Sequence, residues 1–256
     1  MCEAKALIDA FKLKKNLFVT SFNLYQKNNI SLCVTGIGEF STISAVSFLA
    51  GSGVIDAESV LINYGIAGCK DLPIGEFVEV NKITKEKRSF FPVKLYDFGF
   101  LERSLITVNE PAYEYPSGVL LDMESYGFYF ASLKFVSMEQ IWVAKVVSDN
   151  NCADLSEVSK EKVMKLMANH VDKIKKVIGF YGDLSKKIKD INSYPKEFYE
   201  IIKEVRFSFS EQVKLKRLVT QLLNKGKKVC VSDLVNLRNS KKIFCYLEEE
   251  IGSVYL

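Results

Sequence analysis

Leu120-Leu121-Asp122-Met123-Glu124-Ser125-Tyr126-Gly127 and, further on, Val146-Val147-Ser148-Asp149-Asn150 decide how this chain is read. Each is an apolar run that ends in a carboxylate. Val119–Leu121 has the composition of a buried strand, yet it delivers Glu124 at its end. Residues 123–135 read as a helix that packs Met123, Phe128, Ala131 and Phe135. Ile141–Val147 reads as a second buried strand, and it too leads to an acid, Asp149. Strand, helix and strand make a βαβ unit, so the pattern predicts two parallel strands that carry Glu124 and Asp149 to one sheet edge. Ligands bind at that edge in open α/β sheets. Two acids meeting there point to acid–base work on a polar small molecule.

Outward from this stretch, glycines recur after strands. Gly36 and Gly38 follow the Ile30–Val34 strand, and Gly65 and Gly68 follow a strand read over Val60–Tyr64. Glycine permits positive φ and close approach of the backbone to a ligand. Leu17–Leu24 and Ile30–Val34 pair as strands through the turn-rich 26–29, and residues 3–14 and 41–50 read as helices. Gly75–Ile83 alternates apolar and polar in the manner of a half-exposed strand, and Ser104–Val108 resumes a strand after an aromatic-rich excursion.

Past Asp149 the texture becomes helical and rich in lysine. Helical patterns run over 156–179, 182–189, 195–205, 211–224, 232–237 and 240–251, with Ser156 and Ser210 as caps. The organisation expected is an α/β domain over 1–153 and a basic helical region over 154–256. Residues 1–150 carry 14 Lys and Arg against 17 Asp and Glu, a net of −3, whereas 151–256 carry 21 against 14, a net of +7. The basic half could attract nucleic acid. Its lysines fall among acids at helical spacings, however, so a solvated helical surface is the reading preferred, and nucleic acid is not expected as a partner.

Composition removes several chemistries. The single histidine, His170, lies in a polar helical stretch, which leaves serine–histidine and cysteine–histidine catalysis and His-ligated metals without support. The six cysteines are scattered with no Cys-x-x-Cys pair, so no metal is expected and a reducing cytoplasm is the compartment expected. No apolar run approaches the roughly 20 residues of a membrane span.

In order along residues 1–150, five segments resemble the nucleoside phosphorylase superfamily, particularly its methylthioadenosine/S-adenosylhomocysteine nucleosidase branch. They are Thr35-Gly36-Ile37-Gly38, Asn63-Tyr64-Gly65-Ile66-Ala67-Gly68, Leu72-Pro73-Ile74-Gly75-Glu76, Asp122-Met123-Glu124-Ser125 and Val147-Ser148-Asp149. No one of them is specific; their order carries the signal. The resemblance implies a three-layer α/β/α nucleoside phosphorylase-like fold with a mixed twisted sheet, no cofactor, a purine nucleoside as ligand, and a homo-oligomer, a dimer. By the resemblance, Glu124 grips the ribose hydroxyls and Met123 packs beneath the sugar. Ser148 and Asp149 handle the base, Asp149 as the acid serving purine N7, and Glu3 matches the water-activating glutamate. Gly36, Gly38, Gly65 and Ile66 would form the turns around the nucleophile or an anion, and Tyr113 or Phe90 would stack on the base.

The chemistry of the residues agrees with these roles. Glycosidic cleavage passes through an oxocarbenium-like state that needs a proton for the leaving group and a nucleophile on the opposite face. Burial beside an apolar strand end would favour the protonated form of Asp149 that such an acid requires. The function expected is hydrolysis of an N-ribosidic bond. Family members that use phosphate place arginine near the glycine turns; here stand Asn63, Tyr64 and Ile66, and Glu39 after Gly38 would repel an anion. The alternatives are a phosphorylase whose anion site uses Lys145 or Lys70, and a catalytically impaired module that binds a nucleoside or a partner. Asp122 reads as a structural cap. The family's opening strand has no counterpart before Glu3: either the start lies upstream of Met1, or the sheet lacks that strand and Glu3 sits on a terminus.

Overall fold

The computed structural model describes residues 2–111, 115–150 and 159–252. The chain forms two compact units, Met1–Ile188 and Lys189–Leu256.

In the first unit, a three-stranded antiparallel sheet is made of β1 (Lys14–Lys15), β2 (Asn23–Lys27) and β3 (Ile30–Val34). Asn28 takes the left-handed conformation (φ 53°) that the two-residue β2–β3 turn needs. The larger sheet holds β4 (Leu61–Cys69), β5 (Phe77–Lys85), β6 (Arg88–Phe90), β7 (Leu101–Thr107), β8 (Val119–Asp122) and β9 (Ile141–Asp149). Its order is β6-β5-β7-β8-β4-β9, and β9 pairs back onto β5, so five of the strands close into a ring. The pairs β4–β9, β5–β7 and β7–β8 are parallel, while β4–β8, β5–β6 and β5–β9 are antiparallel. The sheet is mixed, as expected.

The βαβ reading needs correction. A helix, α3 (Ser125–Ser132), does connect β8 to β9, but β4 lies between them, antiparallel to β8 and parallel to β9. The two acid-bearing strands therefore run in opposite directions. Both still end beside the same stretch of β4, because Leu121 and Asp149 are both register partners of Gly68.

Period-two alternation along β9 feeds two cores. Ile141, Val143 and Val147 join Val78, Leu105 and Leu120 under α2 (Glu39–Gly51) and α3. Trp142, Ala144 and Val146 join Phe77 under α1 (Cys2–Phe11), α4 (Lys160–Ala168) and α5 (Val171–Asn192). Helices thus cover both faces. Each fully buried Leu, Ile or Val contributes about 1.5–3 kcal/mol relative to exposure. In α5, Ile174, Val177 and Tyr181 recur at helical spacing and are buried, which is why this helix docks. The α/β unit consequently runs to Ile188, past the expected boundary at 153, because α4 and α5 bury their apolar faces in it. The expected cap Ser156 lies outside the described residues; Ser159 caps α4.

The second unit contains α6 (Lys196–Glu204), α7 (Phe209–Asn224), α8 (Val231–Asn236) and α9 (Ser240–Gly252). Phe198, Ile201, Leu215, Leu218, Leu222, Leu234, Ile243 and Leu247 form its core. Ser208, not Ser210, starts α7: its hydroxyl accepts from Glu211 N–H while the Glu211 carboxylate reaches back, a capping box. Among the described residues no helix is long and apolar enough to cross a membrane.

Candidate active site

The site is built on β4. Gly65 and Gly68 were expected in a turn after a strand, yet β4 runs through both of them to Cys69. They stand inside a strand because side chains approach them too closely for a Cβ. A Cβ at Gly65 would lie 2.6 Å from Glu3 Oε2 and 3.5 Å from Lys145 Nζ. One at Gly68 would run into the Tyr115 ring and come 2.8 Å from Asp149 Oδ2. One end of this strand segment thus carries Glu3 and Lys145, and the other carries Tyr115 and Asp149. The two glycines are three residue steps apart along the strand, roughly 10 Å.

At the Gly65 end, Glu3 projects from the first turn of α1, and its Oε2 accepts from Ile66 N–H at 3.0 Å. Lys145, the register partner of Gly65, is buried and pairs with Asp122 Oδ2 at 2.9 Å. Asp122 also accepts from the Thr107 hydroxyl (2.8 Å) and from Ser125 N–H (2.9 Å). Its reading as a structural cap agrees with this bonding. Burial alone would pull the Lys145 ammonium down, but Asp122, Glu124 and Glu3 carry it above the ordinary lysine range. Glu124 lies between β8 and α3. Its Oε1 accepts from Gly38 N–H at 2.7 Å, and Met123 N–H approaches Oε2 at 3.3 Å. Burial is the main cause that pushes the Glu124 carboxyl up, against the opposing pull of Lys145 and the Gly38 bond.

At the Gly68 end both oxygens of Asp149 are taken. The Tyr115 hydroxyl donates to Oδ2 and the Ser148 hydroxyl to Oδ1. Between Ala67 and Gly68 the register with β9 shifts, which leaves Ser148 as an extra residue on the acid-bearing strand. Bulges re-aim side chains, and this one sits directly before Asp149. Burial, the bond to Asp149 and its charge push the Tyr115 phenol up.

The structure brings Glu3, Ile66, Gly65 and Glu124 to the Lys145 end and Ser148 with Asp149 to the other. Gly38, with φ 91°, precedes α2 and is tied to Glu124, while Gly36 (φ 93°) is exposed. Met123 is half-buried beside Glu124. Tyr113 lies outside the described residues. Phe90 packs at a tilt against Tyr126 and Tyr129 of α3, 5.0 and 5.2 Å between ring centres. Glu39 does not stand as a free charge to repel an anion, because Lys85 pairs with it. His170 bonds the Gly75 carbonyl at 2.8 Å and packs on Phe77. Sequence reasoning missed Tyr115 and set Lys145 aside. A lysine within an otherwise apolar strand was the signal for the second; nothing local marks the first.

A ring-closed mixed sheet between two helical layers defines the class: the first unit has the nucleoside phosphorylase-like fold. Several of the solved structures it resembles are nucleosidases. An MTA/SAH nucleosidase superposes with a TM-score of 0.57 at 14% identity, over 71% of this chain and 92% of that one. The MTAN of Chlamydia trachomatis gives 0.55 at 17%, over 70% and 93%. The S. pneumoniae 5′-methylthioadenosine/S-adenosylhomocysteine nucleosidase, determined with a transition-state inhibitor, gives 0.51 at 16%, over 65% and 90%. No family model and no curated protein matches the sequence. At these identities the likeness is one of fold.

Proposed function

We propose that the first unit is a purine nucleosidase-like hydrolase that cleaves the N-ribosidic bond of an adenosine-type nucleoside of the methylthioadenosine/S-adenosylhomocysteine kind. The observation that carries this reading is the pair of sites at the two ends of Gly65–Gly68, Glu3 with Glu124 and Lys145 at one and Asp149 at the other. A ribosyl purine laid along this segment would set its sugar by Glu124 and its base by Asp149. The Glu124 carboxylate would accept from the ribose hydroxyls through charge-assisted bonds. Asp149 would give a proton to N7 as the C1′–N9 bond breaks and its electron pair passes to the base. Glu3 would take a proton from the water that adds at C1′, so free sugar and neutral base leave. A positioned acid of this kind supplies about 10²–10⁴-fold in rate.

Local charge supports water over phosphate as the nucleophile. Three carboxylates, Glu3, Asp122 and Glu124, surround one ammonium, Lys145, which is already committed to Asp122. The surplus is negative, and a phosphate dianion would be repelled. The other anion-site candidate, Lys70, is exposed. Adenine release from methylthioadenosine, measured with and without phosphate, tests the reading. Release without phosphate is expected, with Asp149→Asn slower by at least about 100-fold; strict phosphate dependence overturns it. The Tyr115 bond to Asp149 favours a second reading, a nucleoside-binding module without turnover. Under it, Asp149→Asn would bind as the wild type does and neither would release adenine.

A further inference from the structure

We propose that Tyr115 fills the base subsite of the unliganded protein and that a purine must displace it. The proposal rests on the reading of Asp149 as the base-side acid. The Tyr115 ring is planar, lies against Gly68 and turns a hydrogen-bond donor toward Asp149 Oδ2. A purine held by Asp149 would present the same features in the same place: a flat face for the glycine floor and a polar edge for the carboxyl group. The phenol oxygen sits directly on Oδ2, and the Ser148 hydroxyl occupies Oδ1. No base reaches Oδ2 while the phenol stays.

Burial agrees with occupancy rather than with a loose surface contact. Tyr115 is 8% exposed and Asp149 6%. A buried hydroxyl without a partner is costly, so the phenol gives up its place only to a ligand that repays the bond. Tyr115 therefore acts as a threshold. A planar ring with a hydrogen-bonding edge that Asp149 can meet displaces it, whereas a sugar or a purely apolar ring does not. Because it acts through Asp149, Tyr115 is a positioning residue for the base and its specificity.

The test compares the wild type with Tyr115→Phe, using adenine as the probe in titration calorimetry and in NMR of ring-labelled tyrosine. Removing the hydroxyl removes the competing bond to Asp149 Oδ2. Adenine is then expected to bind Tyr115→Phe on the order of tenfold more tightly, with the effect on a nucleoside falling on KM rather than on kcat. In the wild type, the tyrosine signal that is missing from Tyr115→Phe is expected to shift when adenine is added. If adenine binds and that signal stays in place, or if Tyr115→Phe binds no more tightly, Tyr115 is a fixed wall; the proposal fails while the nucleosidase reading stands. If neither protein binds adenine or methylthioadenosine, the nucleosidase reading is what has failed, and the proposal falls with it. Should Tyr115→Phe not fold, the wild type decides, since displacement of a buried tyrosine must move one of its twelve tyrosine signals.

Discussion

Glu79 illustrates how much a single buried carboxyl group governs. It is 6% exposed; Oε1 accepts from Trp142 Nε1 at 2.7 Å, and Oε2 has no hydrogen-bond partner among the described residues. Burial, the largest influence, pushes its carboxyl up in the folded state. A group raised on folding adds stability that is fully present below its unfolded pKa and is lost as pH rises through the folded one. Chemical denaturation of Glu79→Gln should show a stability that falls less than the wild type's between about pH 4.5 and neutrality, and parallel curves would refute the assignment. Sequence reasoning placed Glu79 on the solvated side of an alternating strand. It could not see that β5 pairs with β7 and β9 and is covered on both faces. The positions of Glu124 and Asp149 at or just past strand ends were legible for the opposite reason, since an acid that follows an apolar run stands out by itself. Two of their neighbours were not, because Tyr115 reaches Asp149 from outside every strand and Lys145 comes beside Glu124 through strand register.

Between elements, the Lys145–Asp122 pair joins β9 to the end of β8 across β4, with side chains only 3% and 0% exposed. Breaking a buried pair by removing one member leaves an uncompensated charge, which costs about 3–5 kcal/mol, whereas replacing both is far milder. Lys145→Met is expected to lose about that much in urea denaturation, and the double variant with Asp122→Asn to recover most of it. Additive losses would show that the two side chains do not interact. Strand existence followed from the runs 119–121, 141–147 and 60–64, but the order of strands is a non-local property. The insertion of β4 reversed the relative direction expected for β8 and β9. Glycines 65 and 68 were read as turn formers because local sequence does not distinguish a turn from a strand interior that must admit another side chain.

For the molecule as a whole, the two units have separate cores, one on the ring-closed sheet and one among α6–α9. Scanning calorimetry is expected to resolve two transitions. Leu218→Ala, in the core of α7, should lower only the smaller, with a loss of about 2–5 kcal/mol; a single transition that shifts as one would show that the units unfold together. The change in composition near residue 150 was visible in the sequence, but the boundary was not, since α4 and α5 share the lysine-rich texture of the second unit while packing in the first.

The pairing of β9 with both β4 and β5 has one more effect. Along Ala144–Val146 the strand that ends in Asp149 is gripped on both flanks, so it cannot slide by a residue to relieve strain near its tip. A residue inserted between Val146 and Asp149 would have to be absorbed at the tip itself, and would swing the acid off the glycine beneath it. Evolution at this site is therefore expected to exchange side chains and to leave the length of the segment alone.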